Sequence, residues 1–495
     1  MRKVSVSRRL AGIAVSISLL TYLLSAQSWT PVAKKFPGVS AGAGAAFLLT
    51  DGTVMVHEEQ YSSDFWYKLT PDNHGSYANG TWSQAASIPF YSPLFFGSAV
   101  LPDGRLIVEG GEYNKLQAVW TNQGAIYNPK TNKWKRVNPP TGWSSIGDAQ
   151  GVILNDGTYM QSNCCTTQFA YFNPKGLTWT PFSGNGKFDV FDEEGFNLLP
   201  NGKVLTVDAY VFQYDPSGMN SELYDPSTQT WSSAGSTKVQ LWDDACGNPN
   251  NATYEVGPAV LRPDGTVFAT GANTCGPGHT AIYNTANGTW TAGPNFPGNV
   301  SVADGPASIE TNGKVLIMGS VNEGSPSSFY EWDGTNLTAT VNPPNAGNDG
   351  SFYGHLLALP SGQILFTDYS SDVELFNPTG SPDPGWAPMV TKVKTALVHG
   401  KSYKVTGYRL AGVSQGGAYG DDYQPYTNYA LVRITNNSTQ HVFYCRTTKP
   451  SSYAVQSPDL QTTHFAVPAN IETGPGVLEV VTNGIPSAKI SVTVD

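Results

Sequence analysis

Charge is scarce in this chain of 495 residues: Asp, Glu, Lys and Arg together make up 13%. Lysine and arginine number 28 against 38 acidic residues, and no basic stripe runs along any segment. Phosphate neutralisation needs clustered positive charge, so a nucleic-acid partner is not expected. Long amphipathic stretches of helical period are missing, which argues against helices as the building material. Cysteine is limited to 5 residues, none at metal-ligand spacing. Glycine (52), proline (35) and aromatics (12%) are plentiful instead, the composition of a turn-rich β protein.

Seven times an apolar run breaks at a two-residue turn ending in glycine, and a second run with strand character follows. The turns are Asp51-Gly52, Asp103-Gly104, Asp156-Gly157, Asn201-Gly202, Asp264-Gly265, Asn312-Gly313 and Ser361-Gly362. Asp-Gly and Asn-Gly pairs tolerate the positive φ of a type I′ turn, so each predicts one antiparallel hairpin. The glycines lie 52, 53, 45, 63, 48 and 49 residues apart, close to the roughly 50-residue kelch repeat whose unit is a four-stranded propeller blade. The expected fold is all-β, a seven-bladed kelch-type β-propeller over residues 27–384, followed by a β-sandwich over residues 385–495.

The outer strands of the blades carry their own signal. Tyr127 precedes Trp134, Phe172 precedes Trp179, Tyr224 precedes Trp231 and Tyr283 precedes Trp290; the first blade ends on Trp82, and the sixth has Trp332 followed by Leu337. The seventh has Phe376 but no outer strand of its own. Trp29, near the start of the expected mature chain, is the unused candidate, and would close the ring without leaving an open sheet edge.

Residues 1–26 read as a secretory signal: Arg2, Lys3, Arg8 and Arg9 precede a mainly apolar stretch over residues 10–24, and Ser25-Ala26 offers small residues for cleavage. That stretch falls short of the roughly 20 residues that span a bilayer, so no stable membrane insertion is expected after its removal. Losing four positive charges takes the formal balance from −10 to −14. A secreted or extracellular location follows, periplasmic in a Gram-negative host. Cys246 and Cys275 fall in loops on one face and are candidates for a disulfide, whereas Cys164, Cys165 and Cys445 stay open.

After Trp386 the repeat gives way to short alternating strands. Gly407-Tyr408-Arg409-Leu410-Ala411-Gly412-Val413-Ser414-Gln415, Gly420-Asp421-Asp422, Thr427-Asn428-Tyr429 and Val481-Thr482-Asn483-Gly484-Ile485-Pro486-Ser487 resemble the early-set immunoglobulin-like domain that follows the kelch propeller in galactose oxidase-like proteins. The resemblance covers nearly the whole mature chain. Oxidases of that family hold copper with a tyrosine cross-linked to cysteine, a second tyrosine and two histidines. Here the alignment of hairpins puts Phe95 and Asp148 at the cross-linked pair, and Phe352 and Tyr353 at the adjacent tyrosine and histidine. A slip of one residue brings Tyr353 into line beside His355. Thr447-Thr448-Lys449-Pro450-Ser451 fills the loop where the sandwich histidine is expected. The expectation is therefore the fold without copper.

Carboxylate takes its place. Loops that enter first strands and leave second strands share the face opposite the glycine turns, and they carry Asp148, Glu193, Glu194, Glu255, Asp304, Glu109 and Glu112, with Trp242, Tyr353 and His355 nearby. Tyr61 and Tyr210 fall in the same loops. Aromatic faces beside acids suit carbohydrate, whose C–H faces stack while its hydroxyls hydrogen-bond. A glycan-binding face is the leading expectation. A carbohydrate-active enzyme, either an acid–base hydrolase or lyase or a galactose oxidase-like oxidase, and a protein-interaction scaffold stay open beside it, as does a bound cation such as calcium. No cofactor is otherwise predicted. If Phe95 and Asp148 replace the cross-linked pair, copper-loaded protein will show no thioether on peptide mass analysis and release no peroxide from galactose or glyoxal; either signal contradicts the reading.

Overall fold

A computed structural model describes residues 1, 26–59, 63–209, 217–248, 250–321, 323–420 and 422–495. The expected signal segment, Tyr61 and Tyr210 lie outside the described residues. The rest is all-β, relieved only by short turns of 3₁₀ helix. Among the described residues, no helix is long and apolar enough to cross a membrane.

Small antiparallel meanders follow one another along the chain. In the first, Gly42–Leu48, Val54–Glu59, Trp66–Thr70 and Thr81–Gln84 pair in chain order; the same order recurs in five further sheets, and a last sheet takes its outer strand from the N-terminus. Gly42–Leu48 lies against His355–Ala358, which lies against Ala307–Ile309, and the contacts continue through Ala259–Leu261, Asn197–Leu198 and Gly151–Ile153 to Gly97–Val100. The first strands therefore gather about one axis, a propeller-like arrangement. Their side chains are buried on both faces, because each is covered by its neighbours.

The seven glycine turns share one geometry, which differs from the expected type I′. Gly52 N–H donates to Leu49 O and Leu49 N–H to Thr53 O, and the same two bonds recur at every turn. Only the glycine has positive φ, from 79° at Gly52 to 87° at Gly362. This is a type I turn closed by a G1 bulge. The residue before glycine is selected for its acceptor: Asp51 Oδ1 takes the Thr53 N–H at 3.2 Å, Asp156 Oδ1 that of Thr158 at 2.8 Å and Asn312 Oδ1 that of Lys314 at 2.8 Å.

The aromatic signal marks the outer strands. Tyr127 pairs directly with Trp134, Phe172 with Trp179, Tyr224 with Trp231 and Tyr283 with Trp290, with centroids 4.7–5.1 Å apart. Directly opposed rings on one sheet face are the favourable cross-strand pair. In the last sheet Ser28–Pro31 supplies the outer strand, Trp29 opposite Phe376. The indole lies 5.0–5.6 Å from Phe329, Phe366 and Phe376 and donates from Nε1 to Val341 O at 2.8 Å.

Apart from Gly417–Ala418, the strands from Met389–Lys392 to Ile490–Val494 form a separate nine-stranded sheet system around Val405, Val432, Cys445, Phe465 and Leu478. It sits on the glycine turns: Thr447 N–H donates to Thr50 O, Lys449 N–H to Pro102 O and Tyr453 N–H to Asn155 O. Gln461–Ala466 and Ile490–Val494 belong to it, strands not predicted above.

Trp29→Ala removes the indole and its hydrogen bond from the half-buried outer strand, a change expected to cost about 2 kcal/mol and to lower the melting temperature. An unchanged thermal melt contradicts the role given to this strand.

Candidate functional site

The axis is filled by a segment of the C-terminal unit. Residues 414–420 and 422–429 lie between the first strands. Gly417–Ala418 pairs with Ala307–Ile309 as a fifth strand. Gln415 Oε1 accepts from Leu198 N–H at 2.7 Å and Gln424 Oε1 from Ser98 N–H at 3.0 Å; Tyr426 donates to Phe196 O at 2.6 Å and Tyr419 to Phe352 O at 2.7 Å. Tyr423 and Tyr429 donate to Ala46 O and Leu48 O. Polar side chains on this segment thus satisfy backbone groups that face the axis. The loop expected to carry the sandwich's contribution, residues 447–451, lies instead on the glycine turns; the residues brought to the far face are Tyr419 and Asp422.

At the tip of this segment three carboxylates converge. Glu193, Glu255 and Asp304, each from the loop entering the first strand of a successive sheet, place one oxygen apiece within 4.8 Å of one another. A Cβ on Gly420 would stand 2.1 Å from Asp304 Oδ1, and one on Gly195 2.7 Å from Gly420 O, so the tip and the acidic loops are in contact. Glu193 and Asp304 hold positive φ, 55° and 39°, a conformation fixed by the surrounding loops and not by residue preference. Among the described residues, the groups of three or more His, Cys, Asp or Glu side chains close enough to share a cation contain no histidine.

The other predicted site residues divide. Asp148 and Glu112 lie near Tyr113, whose hydroxyl they push upward in pKa, Glu112 most and burial next; Phe95, at φ 51°, packs edge-on to Tyr113. Tyr353 stacks edge-on with Phe352, 4.3 Å between centroids. Trp242 is buried, parallel to Tyr254, beside a cavity of about 250 Å³ that Asp243, Asn273 and His279 also line. Cys246 and Cys275 are joined at the edge of that cavity, Cα atoms 6.2 Å apart.

Two predicted acids are not at the mouth. Glu109 is the last residue of the strand Leu106–Glu109 and points into the sheet interior, where burial raises its pKa well above the ordinary range. Glu194 turns inward to Lys187 at 3.1 Å, and both side chains are fully buried. Lys187 also meets Glu222 at 2.6 Å, Asp208 at 3.7 Å and Asp189. Burial raises the pKa of Glu194 and Asp208 against the pull of the Lys187 charge.

His355 is likewise internal, in line with Glu59 and His57. His57 Nδ1 lies 2.8 Å from Glu59 Oε1, and His355 Nε2 3.6 Å from Glu59 Oε2. Burial would raise Glu59, but the hydrogen bond and charge of His57 outweigh it and hold the carboxyl low. Burial lowers His355, whose ring stacks on Tyr419 at 5.4 Å. His355 was read from the sequence as a residue of the binding face, whereas Lys187 did not stand out; a lone lysine four residues before Phe191 gives no signal of its partners.

No protein-family model matches the chain. A 94-residue stretch is 27% identical to the Kelch-like protein terF of Aspergillus terreus, covering 19% of this chain and 20% of that protein. The chain thus spans about a fifth of that relative's length. Among solved structures, a streptogramin B lyase aligns over 72% of this chain and 98% of its own at TM-score 0.48 and 10% identity. The extracellular domain of the putative hybrid two component system BT4673 from B. thetaiotaomicron aligns over 95% and 59% at TM-score 0.47 and 11% identity. YCF48 bound to D1 peptide aligns over 71% and 97% at TM-score 0.45 and 11% identity. At these levels the activities of those proteins stay with them.

Burial holds Asp349 at about 7, Glu310 at about 8 and Glu374 at about 9. Each lies above its unfolded value near 4, so the folded state binds more protons and stability falls as pH rises through the folded values. His355, lowered, acts in the opposite sense only below its ordinary range. The melting temperature is therefore expected to fall from about pH 6.5 to about pH 9; calorimetry showing a flat or rising trend contradicts these assignments.

Proposed function

We propose that this chain is an exported seven-bladed kelch-type propeller, closed by its N-terminal strand and carrying a C-terminal β-sandwich, that binds carbohydrate through a divalent cation at the mouth of its axis. The observation that supports the reading is the convergence of Glu193, Glu255 and Asp304 within 4.8 Å. Oxygen-only donors of this kind suit a hard cation such as calcium, which takes 6–8 oxygen ligands at about 2.3–2.6 Å and can complete its shell with paired hydroxyls of a sugar. Tyr113, Phe352 and Tyr353, half-buried on the same face, offer rings for its C–H surfaces.

A protein partner is the second reading. It is favoured by the hairpin of Tyr113–Asn114 and Gln117–Ala118, beside which Leu116, Val119 and Trp120 stand 60%, 47% and 50% exposed.

Titration calorimetry with calcium, on the parent and on a Glu193→Gln/Asp304→Asn variant, tests the site; binding to the parent and its loss in the variant are expected, without loss of the fold. Retention on a glycan array should then disappear with chelator. A parent that takes no calcium sinks the proposal, and glycan retention indifferent to both chelator and variant places the ligand elsewhere.

A further inference from the structure

Cys164 and Cys165 follow the second strand of the third sheet, Tyr159–Ser162, and stand outside everything assigned above. Cys164 is buried among Trp143, Ile146, Ala149 and Ala170, while Cys165 is partly exposed and holds φ at 63°, a conformation that side chains other than glycine rarely adopt. Their sulfurs face each other at 2.6 Å. Gly147, at φ 70°, leaves room beside them: a Cβ there would stand 3.0 Å from that of Cys164 and 3.2 Å from Cγ of the exposed Trp120. The backbone is pinned on both sides, Cys164 N–H to Ile146 O at 2.9 Å and Cys165 N–H to Phe191 O at 2.6 Å. Loop conformation, facing sulfurs and tethered backbone are what closure of an eight-membered ring requires.

We infer that Cys164 and Cys165 form a reversible vicinal disulfide, a redox site on the binding face. Adjacent Cα atoms are about 3.8 Å apart, below the usual 4.4–6.8 Å of a disulfide, so the ring is strained and belongs with the labile, exchangeable bonds. The oxidant is a small disulfide of the glutathione class. Cys165, the more accessible, loses its proton to water and attacks one sulfur of that disulfide, forming a mixed disulfide and expelling the first thiolate, which takes up a proton. The Cys164 sulfur, 2.6 Å from Cys165 Sγ, then attacks it and gives up its proton to water. The second thiolate leaves and takes up the proton. Two protein thiols and one external disulfide thus become one protein disulfide and two external thiols. Cys164 is buried and Cys165 partly exposed, which fixes the order of attack.

The full chain is incubated with glutathione disulfide, denatured in iodoacetamide without reductant, and digested for mass analysis. Cys445 alone should be alkylated, and the peptide holding Cys164 and Cys165 should be lighter than its dithiol form by two hydrogens. Under native conditions a graded glutathione redox buffer should open this ring before the Cys246–Cys275 bond. In Cys164→Ser, Cys165 should retain one glutathione. Alkylation of both cysteines after oxidation, two glutathiones on the pair, or a link to Cys445 overturns the inference. A Cys164→Ser protein that takes up no glutathione overturns the order of attack.

Discussion

A ring of sheets whose first strands surround an axis leaves backbone amides and carbonyls facing a channel, and here residues 414–420 and 422–429 of the C-terminal unit satisfy them. Tyr423 and Tyr429 serve the first sheet, Gln424 the second, Gln415 and Tyr426 the fourth, and Gly417–Ala418 the sixth. Each such bond is worth about 1 kcal/mol net, but a buried group left without its partner costs more. The sheets are therefore held in register by a segment that the C-terminal unit contributes. The same segment ends at Asp304 and Gly195, so the position of the carboxylates at the mouth depends on a unit seated on the opposite face.

The loop from Lys187 to Glu194 shows how acidic residues are sorted at that mouth. Glu193 faces the axis, while its neighbour Glu194 goes inward to Lys187 with Asp189, Asp208 and Glu222. One buried ammonium fixes the loop from below and draws four carboxyl groups away from solvent. The mouth receives a few carboxylates in a small space, which favours a cation there by mutual repulsion among them. The Phe191 carbonyl is tied to Cys165, so the loop is held from the side as well.

Much of this architecture was legible in the sequence because it is local. A glycine turn and its acceptor span three residues, and a Tyr–Trp cross-strand pair joins residues seven apart, as at Tyr127 and Trp134. The turn type was misread because Asp-Gly serves both a type I′ turn and a type I turn with a G1 bulge; the acceptor role of Asp51 toward Thr53 distinguishes them only once the hydrogen bonds are seen. The site was less legible. Counting acids by loop put Glu193, Glu255 and Asp304 in one set, and one oxygen of each lies within 4.8 Å of the others, but adjacent residues in an irregular loop have no fixed alternation, so Glu194 could not be told from Glu193. Glu109 was assigned to a loop because Gly110-Gly111 follow it at once, at φ 74° and 118°, and nothing in the sequence tells the last strand residue from the first loop residue. The axial segment escaped altogether, since its partners are more than 60 positions away, as Tyr419 is from Phe352.

The claim that the C-terminal segment sets the geometry of the mouth is tested most directly at Gly420. An added methyl there meets Asp304 Oδ1 at 2.1 Å and its Cα at 3.1 Å, so Gly420→Ala displaces that carboxylate from its neighbours while leaving every acid in place. Calcium titration of the folded Gly420→Ala protein should show binding weakened several-fold relative to the parent. Undiminished affinity would contradict the account.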